Sequence, residues 1–156
     1  MRIKDFELND ETVMELGKFA VLWNLFEKEF CDQNCNPKEL REVATKIIID
    51  EEIMQSFAVA INARCIWFEM MISEYARKSL HPENAKMSSE EEIEYMEKFL
   101  RWEKDNRVLG CLLIMNRIRN NLMHGLKIAE QLDDQIELFK AVNMVLLNIE
   151  KKRESA

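Results

Sequence analysis

Only 3 glycines and 2 prolines punctuate the 156 residues of this chain. Helices tolerate long runs free of both residues. A sandwich of short strands or a Rossmann-type fold of this length needs turn residues far more often. An all-α chain is therefore expected. Its length suits one domain over residues 1–156 and not two. A hydrophobic fraction of 47% is enough for a helical bundle to bury a core. The expected architecture is an antiparallel helical bundle of about five main helices without a β-sheet.

The apolar periodicity places the helices. Asn9 or Asp10 caps a first helix to about residue 30, with Val13, Leu16, Phe19/Ala20, Trp23 and Phe26/Phe30 as its buried stripe. Residues 31–36 form a break, and Asn36-Pro37 restarts a helix with Asn as cap and Pro at the first helical position. That helix is expected to reach the Ile47-Ile48-Ile49 run. The next, ending near Leu80 before His81-Pro82, is apolar on most sides and reads as the central one. Arg64 and Glu69 within it suit either an ion pair at a polar edge or support for an active site. Ser88 and Glu91 make a capping box for an acidic helix to about residue 106. A helix over about 107–123 follows, in which Gly110 suggests close approach of a neighbour and Gly125 is the C-terminal breaker. The last helix covers about 133–151, and residues 151–156 are expected to fray.

Charge and cysteine usage narrow the function classes. There are 22 basic and 29 acidic side chains, a net charge of −7. A protein that coats nucleic acid with a broad basic surface is excluded, although a small cationic site on an acidic body is not. Residues 53–72 are the most apolar stretch, but Arg64 and Glu69 interrupt it, so no membrane span is expected. Cys65 and Cys111 lie in apolar helical runs and read as buried free thiols. Cys31 and Cys35 would need two further ligands to hold zinc, and His81 and His124 stand alone, so neither a metal site nor a cofactor is expected. Reduced cysteines, together with an N-terminus too charged for a secretory signal, imply a soluble cytoplasmic protein.

One segment carries chemistry. Residues 117–127 read Arg117-Ile118-Arg119-Asn120-Asn121-Leu122-Met123-His124-Gly125-Leu126-Lys127, with two Arg, one His, one Lys and no acid. A guanidinium offers planar donors that match phosphate oxygens. An imidazole moves a proton near neutral pH, and a helix C-terminus favours its charged form, which suits it to act as an acid. At about 100° per residue, Arg117, Asn120, Asn121 and His124 share one face. Val108, Cys111, Met115, Ile118 and Leu122 share the opposite, core-facing side. Arg119 projects nearer that apolar side, which puts it at the edge of a helix–helix groove or at an oligomer interface.

The run Arg119-Asn120-x-x-x-His124 resembles the R-x4-6-H motif of HEPN domains, in the form where a polar residue follows the Arg. The neighbours Ile118, Asn121 and Gly125 and the setting at the end of a long helix agree. The motif covers under a tenth of the chain, and the helical architecture extends the resemblance loosely to the rest. The resemblance implies a metal-independent endoribonuclease of a toxin or phage-defence system, a homodimer whose two motifs meet at the interface. It implies that His124 transfers a proton at a ribose 2′-hydroxyl, Arg119 stabilises phosphate charge and Asn120 orients the site. Arg117, Asn121 and Lys127 are the candidate substrate contacts, and single-stranded or loop RNA is the substrate class. Arg117 also satisfies the motif spacing, so either Arg can be the main phosphate contact. An antitoxin or nucleotidyltransferase partner fits the family. Leu126, however, stands where some HEPN toxins carry the Tyr that a nucleotidyltransferase modifies. The alternative is a non-catalytic HEPN-like binding or regulatory module.

Overall fold

The computed structural model describes residues 1–3, 5–32, 35–63, 89–123 and 129–155. Among them are six α-helices: α1 (Asp10–Phe30), α2 (Pro37–Val43), α3 (Glu51–Asn62), α4 (Ser89–Leu100), α5 (Arg107–Met123) and α6 (Ile136–Ser155). A 3-10 helix, Ala129–Gln135, leads into α6. The all-α bundle expected from the sequence is what forms. A two-stranded antiparallel ladder, Arg2–Ile3 with Phe6–Glu7, precedes α1. No helix among the described residues is long and apolar enough to cross a membrane.

The core is built from helix stripes. On α1 the buried residues are Thr12, Glu15, Phe19, Trp23 and Phe26, a spacing of three and four that lines one helical face. Phe19, Trp23, Phe26 and Phe30 stack in succession, with ring centroids 6.2, 5.2 and 5.3 Å apart. α1 lies against α6. Contacts of Glu11 with Lys140, Glu15 with Asn143 and Glu29 with Arg153 rise together along both helices, so this pair runs parallel, a departure from the antiparallel arrangement expected. Glu15 is buried because Asn143 Nδ2 donates to its carboxylate at 2.8 Å and to its backbone carbonyl at 3.0 Å. A buried carboxylate without such donors would be costly.

α5 is the central described element. Leu109, Ile118 and all six residues from Cys111 to Asn116 are buried. The expectation that the helix ending near Leu80 takes the centre falls mostly on residues 64–80, outside the described residues. Arg64, Cys65 and Glu69 are among those, and His81-Pro82 and Ser88 also lie outside the described residues. Gly110 of α5 meets α4 closely, as its position suggested. A Cβ there would stand 2.6 Å from the Tyr95 carbonyl oxygen and 2.7 Å from Phe99 Cβ.

Three helix boundaries differ from the sequence reading. α2 stops at Val43, short of the Ile47-Ile48-Ile49 run. The Thr45 hydroxyl donates to the Glu42 carbonyl at 2.7 Å, and three β-branched residues in a row favour extended backbone. α4 stops at Leu100, because Trp102 adopts φ 58° and Asn106 φ 51°. Arg107 holds that turn: its guanidinium lies 3.8 Å from the Trp102 ring centroid and donates to the Trp102 carbonyl at 2.7 Å. At the C-terminus, α6 continues to Ser155 where fraying was expected. Arg153 ties that last turn to Glu150 at 2.6 Å and to Glu29 of α1 at 2.8 Å.

The cysteines also depart in part. Cys31 and Cys35, expected as thiols, form a disulfide that spans the break between α1 and α2. Cys31 caps α1 and Cys35 directly precedes the α2 cap Asn36, so the turn brings the two together. Cys111 is a buried free thiol, as expected, and burial pushes its pKa well above the ordinary range.

A candidate site between α1 and α5

α5 delivers Arg119 to a groove edge. Ile118 beside it is fully buried, whereas the Arg119 side chain is 31% exposed. On a regular helix Arg119 stands about 200° from Arg117. The two Arg therefore cannot serve one face, and it is Arg119 that reaches α1. Its Nη1 donates to the Asn120 side-chain oxygen at 3.0 Å. Its Nε lies 3.7 Å from Glu27 Oε1, an ion pair longer than a hydrogen bond. Guanidinium carries five N–H donors, so these contacts leave donors for a ligand.

Arg119, Glu27, Lys28 and Asn24 line a cleft of about 450 Å³. Asn24, Glu27 and Lys28 follow one another at three and four along α1, so they form one polar strip. That strip adjoins the buried positions Trp23 and Phe26. The side chains that line the cleft are all polar or charged.

Of the six residues singled out in the sequence, the structure brings Arg119 and Asn120 together. Arg117 is half-buried on α5 and does not line the cleft. Asn121 lies two residues before the end of the same helix. His124 and Lys127 lie outside the described residues. Among the described residues, no group of three or more His, Cys, Asp or Glu stands close enough to hold a metal ion. Sequence reasoning did not single out Asn24, Glu27 and Lys28. Their i, i+3, i+4 spacing marked them as one face of α1, but nothing in the sequence paired that face with Arg119.

No family model matches the chain, and neither a curated protein nor a solved structure matches it. The functional reading therefore draws on the residues and the cleft.

Proposed function

We propose that the protein is a metal-independent RNA endonuclease of HEPN type. The observation that carries the reading is Arg119: a guanidinium hydrogen-bonded to Asn120, with donors to spare, at the mouth of a polar cleft. The same two residues head the motif that ends at His124. The site suits a phosphodiester, since guanidinium charge and geometry match the phosphoryl oxygens. RNA fits better than DNA because the nucleophile is the 2′-hydroxyl. Unpaired RNA fits better than a duplex because its backbone can bend into a cleft between two helices. Cleavage leaves a 2′,3′-cyclic phosphate and a 5′-hydroxyl. A homodimer that joins two motifs, and a toxin or defence setting with an antitoxin-like partner, belong to the same proposal.

The second reading is a non-catalytic HEPN-like binding module. One observation favours it: Glu27 already neutralises part of the Arg119 charge. One experiment separates the two. Purified protein is incubated with labelled single-stranded RNA in EDTA, beside the His124→Ala variant. The endonuclease reading expects the parent to cut and the variant not to. Cleavage that needs added metal, or a variant that cuts as well as the parent, defeats the mechanism. A parent that binds but cuts no RNA leaves the binding module.

A further inference from the structure

We propose that the outer face of α1 is a self-association surface, on which a second copy of this chain packs its own α1 antiparallel about a two-fold axis. The endonuclease reading plays no part in the argument. Asp10, Met14, Gly17, Val21, Asn24 and Lys28 are all exposed. They follow one another at intervals that alternate between four residues and three. That alternation is the heptad seam of paired helices, in which successive positions stay turned toward one partner. The seam lies on the side of α1 opposite the buried stripe of Phe19, Trp23 and Phe26.

The middle of the seam is apolar. Met14 is 53% exposed and Val21 69%. Ala20 is exposed beside them, and Val13 and Leu25 are half-buried at the flanks. A single exposed apolar residue is ordinary, but these five adjoin on one helix and form a patch. Gly17 stands between Met14 and Val21 and leaves a notch. A helical glycine costs about 1 kcal/mol against alanine. The single chain does not require it, since a Cβ at this position would meet nothing within 4 Å. The close approach of a second backbone does require it.

The charges at the two ends identify the occupant. The seam begins at Asp10 and ends at Lys28, about 27 Å further along the helix. A parallel pair in register would set acid against acid and base against base, with the two notches facing each other. The antiparallel pair sets each Asp10 opposite Lys28 of the second copy. Met14 then faces Asn24 of the second copy, and Val21 enters the notch at Gly17. Symmetry makes every one of these contacts twice. Asp10 is fully exposed, and its contact with the terminal ammonium at 3.4 Å engages only one carboxylate oxygen. Lys18 is the charged side chain nearest the axis. Glu15 of its own chain holds it at 3.3 Å, so two bare ammonium groups do not meet there. Asn24 and Lys28 also line the cleft that Arg119 enters. The two-fold axis turns both clefts to one side of the helix pair, so the second copy borders each.

The test is the mass of the full chain by sedimentation velocity, from roughly 1 to 100 µM, where an interface at the small end of the size range dissociates. The parent, 18.6 kDa as a single chain, should approach twice that mass as concentration rises. Val21→Glu puts a carboxylate into the seam, and Gly17→Leu fills the notch. Each should weaken the dimer by about tenfold or more. Leu is a better helix former than Gly, so loss of the dimer in that variant is not loss of the helix. In the dilute single chain a side chain at position 17 is harmless; in the pair it occupies the space Val21 needs. Lys28→Glu alone and Asp10→Lys alone set like charges together and should weaken the dimer, and the double variant should recover it. Circular dichroism melts establish that each variant folds. A parent that stays monomeric at every concentration overturns the inference. A parent dimer that Val21→Glu and Gly17→Leu leave intact also overturns it, since another face then makes the contact. Single reversals that weaken the dimer without recovery in the double variant overturn the antiparallel pairing. None of these readouts involves RNA cleavage, so the endonuclease reading stands or falls separately.

Discussion

Gly110 and Gly17 offer the same substitution with opposite expected signs. Both are helical, on α5 and α1, so replacing either by Ala gains about 1 kcal/mol of helix propensity. Around Gly17 a new Cβ meets nothing within 4 Å. Gly17→Ala should therefore stabilise the protein by most of that amount. At Gly110 the new carbon would stand 2.6 Å from the Tyr95 carbonyl oxygen and 2.7 Å from Phe99 Cβ. Comfortable carbon contacts lie near 3.5–4.0 Å, so α4 must retreat by about 1 Å. Neither neighbour is the tip of a flexible side chain, so the strain passes to the helix pair as a whole. Overpacking of this kind costs about 1–3 kcal/mol, and a clash with main chain belongs at the upper end. The net expectation is a loss of about 1–2 kcal/mol. For a chain of this size that lowers Tm by roughly 2–8 °C. Urea titration and thermal melts followed by circular dichroism read both variants. A Gly110→Ala protein as stable as the parent would refute the close α4–α5 contact.

The remaining expectations concern the end of α6. Asn148 accepts from the Asp50 backbone N–H at 2.8 Å and donates to the Asp50 carboxylate at 3.0 Å, so it caps α3 from another helix. Asn148→Ala should cost about 1–2 kcal/mol in urea denaturation, and a loss under a few tenths would deny that role. The Asp50 carboxyl is held below its ordinary pKa, first by the hydrogen bond from Lys152 and then by that from Asn148. A depressed folded-state pKa gives stability that is present above the ordinary carboxylate range. It is lost as pH falls through the folded-state value. NMR titration should find the Asp50 midpoint low, and Lys152→Ala should raise it; an unmoved midpoint would refute the assignment.

The helices were legible where side-chain periodicity and local chemistry agreed. Asn36-Pro37 specified the start of α2 with no help from elsewhere, and its cap bond to the Glu39 N–H forms at 2.8 Å. The start of α5 at Arg107 was readable too. Its preceding turn was not, because nothing in a Trp side chain advertises φ 58°. That conformation is stabilised by Arg107 lying over the ring, a contact that exists only once the chain has reversed. The α6 terminus was misread for a similar reason. A polar Lys-Lys-Arg-Glu run looks like a frayed end until Glu29 of α1 is placed beside Arg153. Cys31 and Cys35 were close in sequence, but only the turn between α1 and α2 decides that their sulfurs meet.

The candidate site divides along the same line. Helix periodicity alone put Arg119 off the exposed face of α5 and toward the apolar side, and a charged group there must find a groove. That much is a statement about one helix, and one helix is what a sequence pattern describes. The opposite wall is a statement about two. On α1, Trp23 and Phe26 are buried. With about 100° between successive residues, Asn24 and Glu27 must then stand at the margin of the core. Every helix with a buried stripe has two such margins, and polar residues occupy most of them without consequence. What distinguishes this margin is the guanidinium that reaches it from α5. Because Ile118 of α5 is fully buried, its neighbour Arg119 is carried to the same margin. There it meets Glu27 within ion-pair distance. A carboxylate and a guanidinium are thus set side by side by the burial of their apolar neighbours. The geometry of the cleft follows from the core, and substitutions in that core, such as Ile118→Ala, act on the site through it.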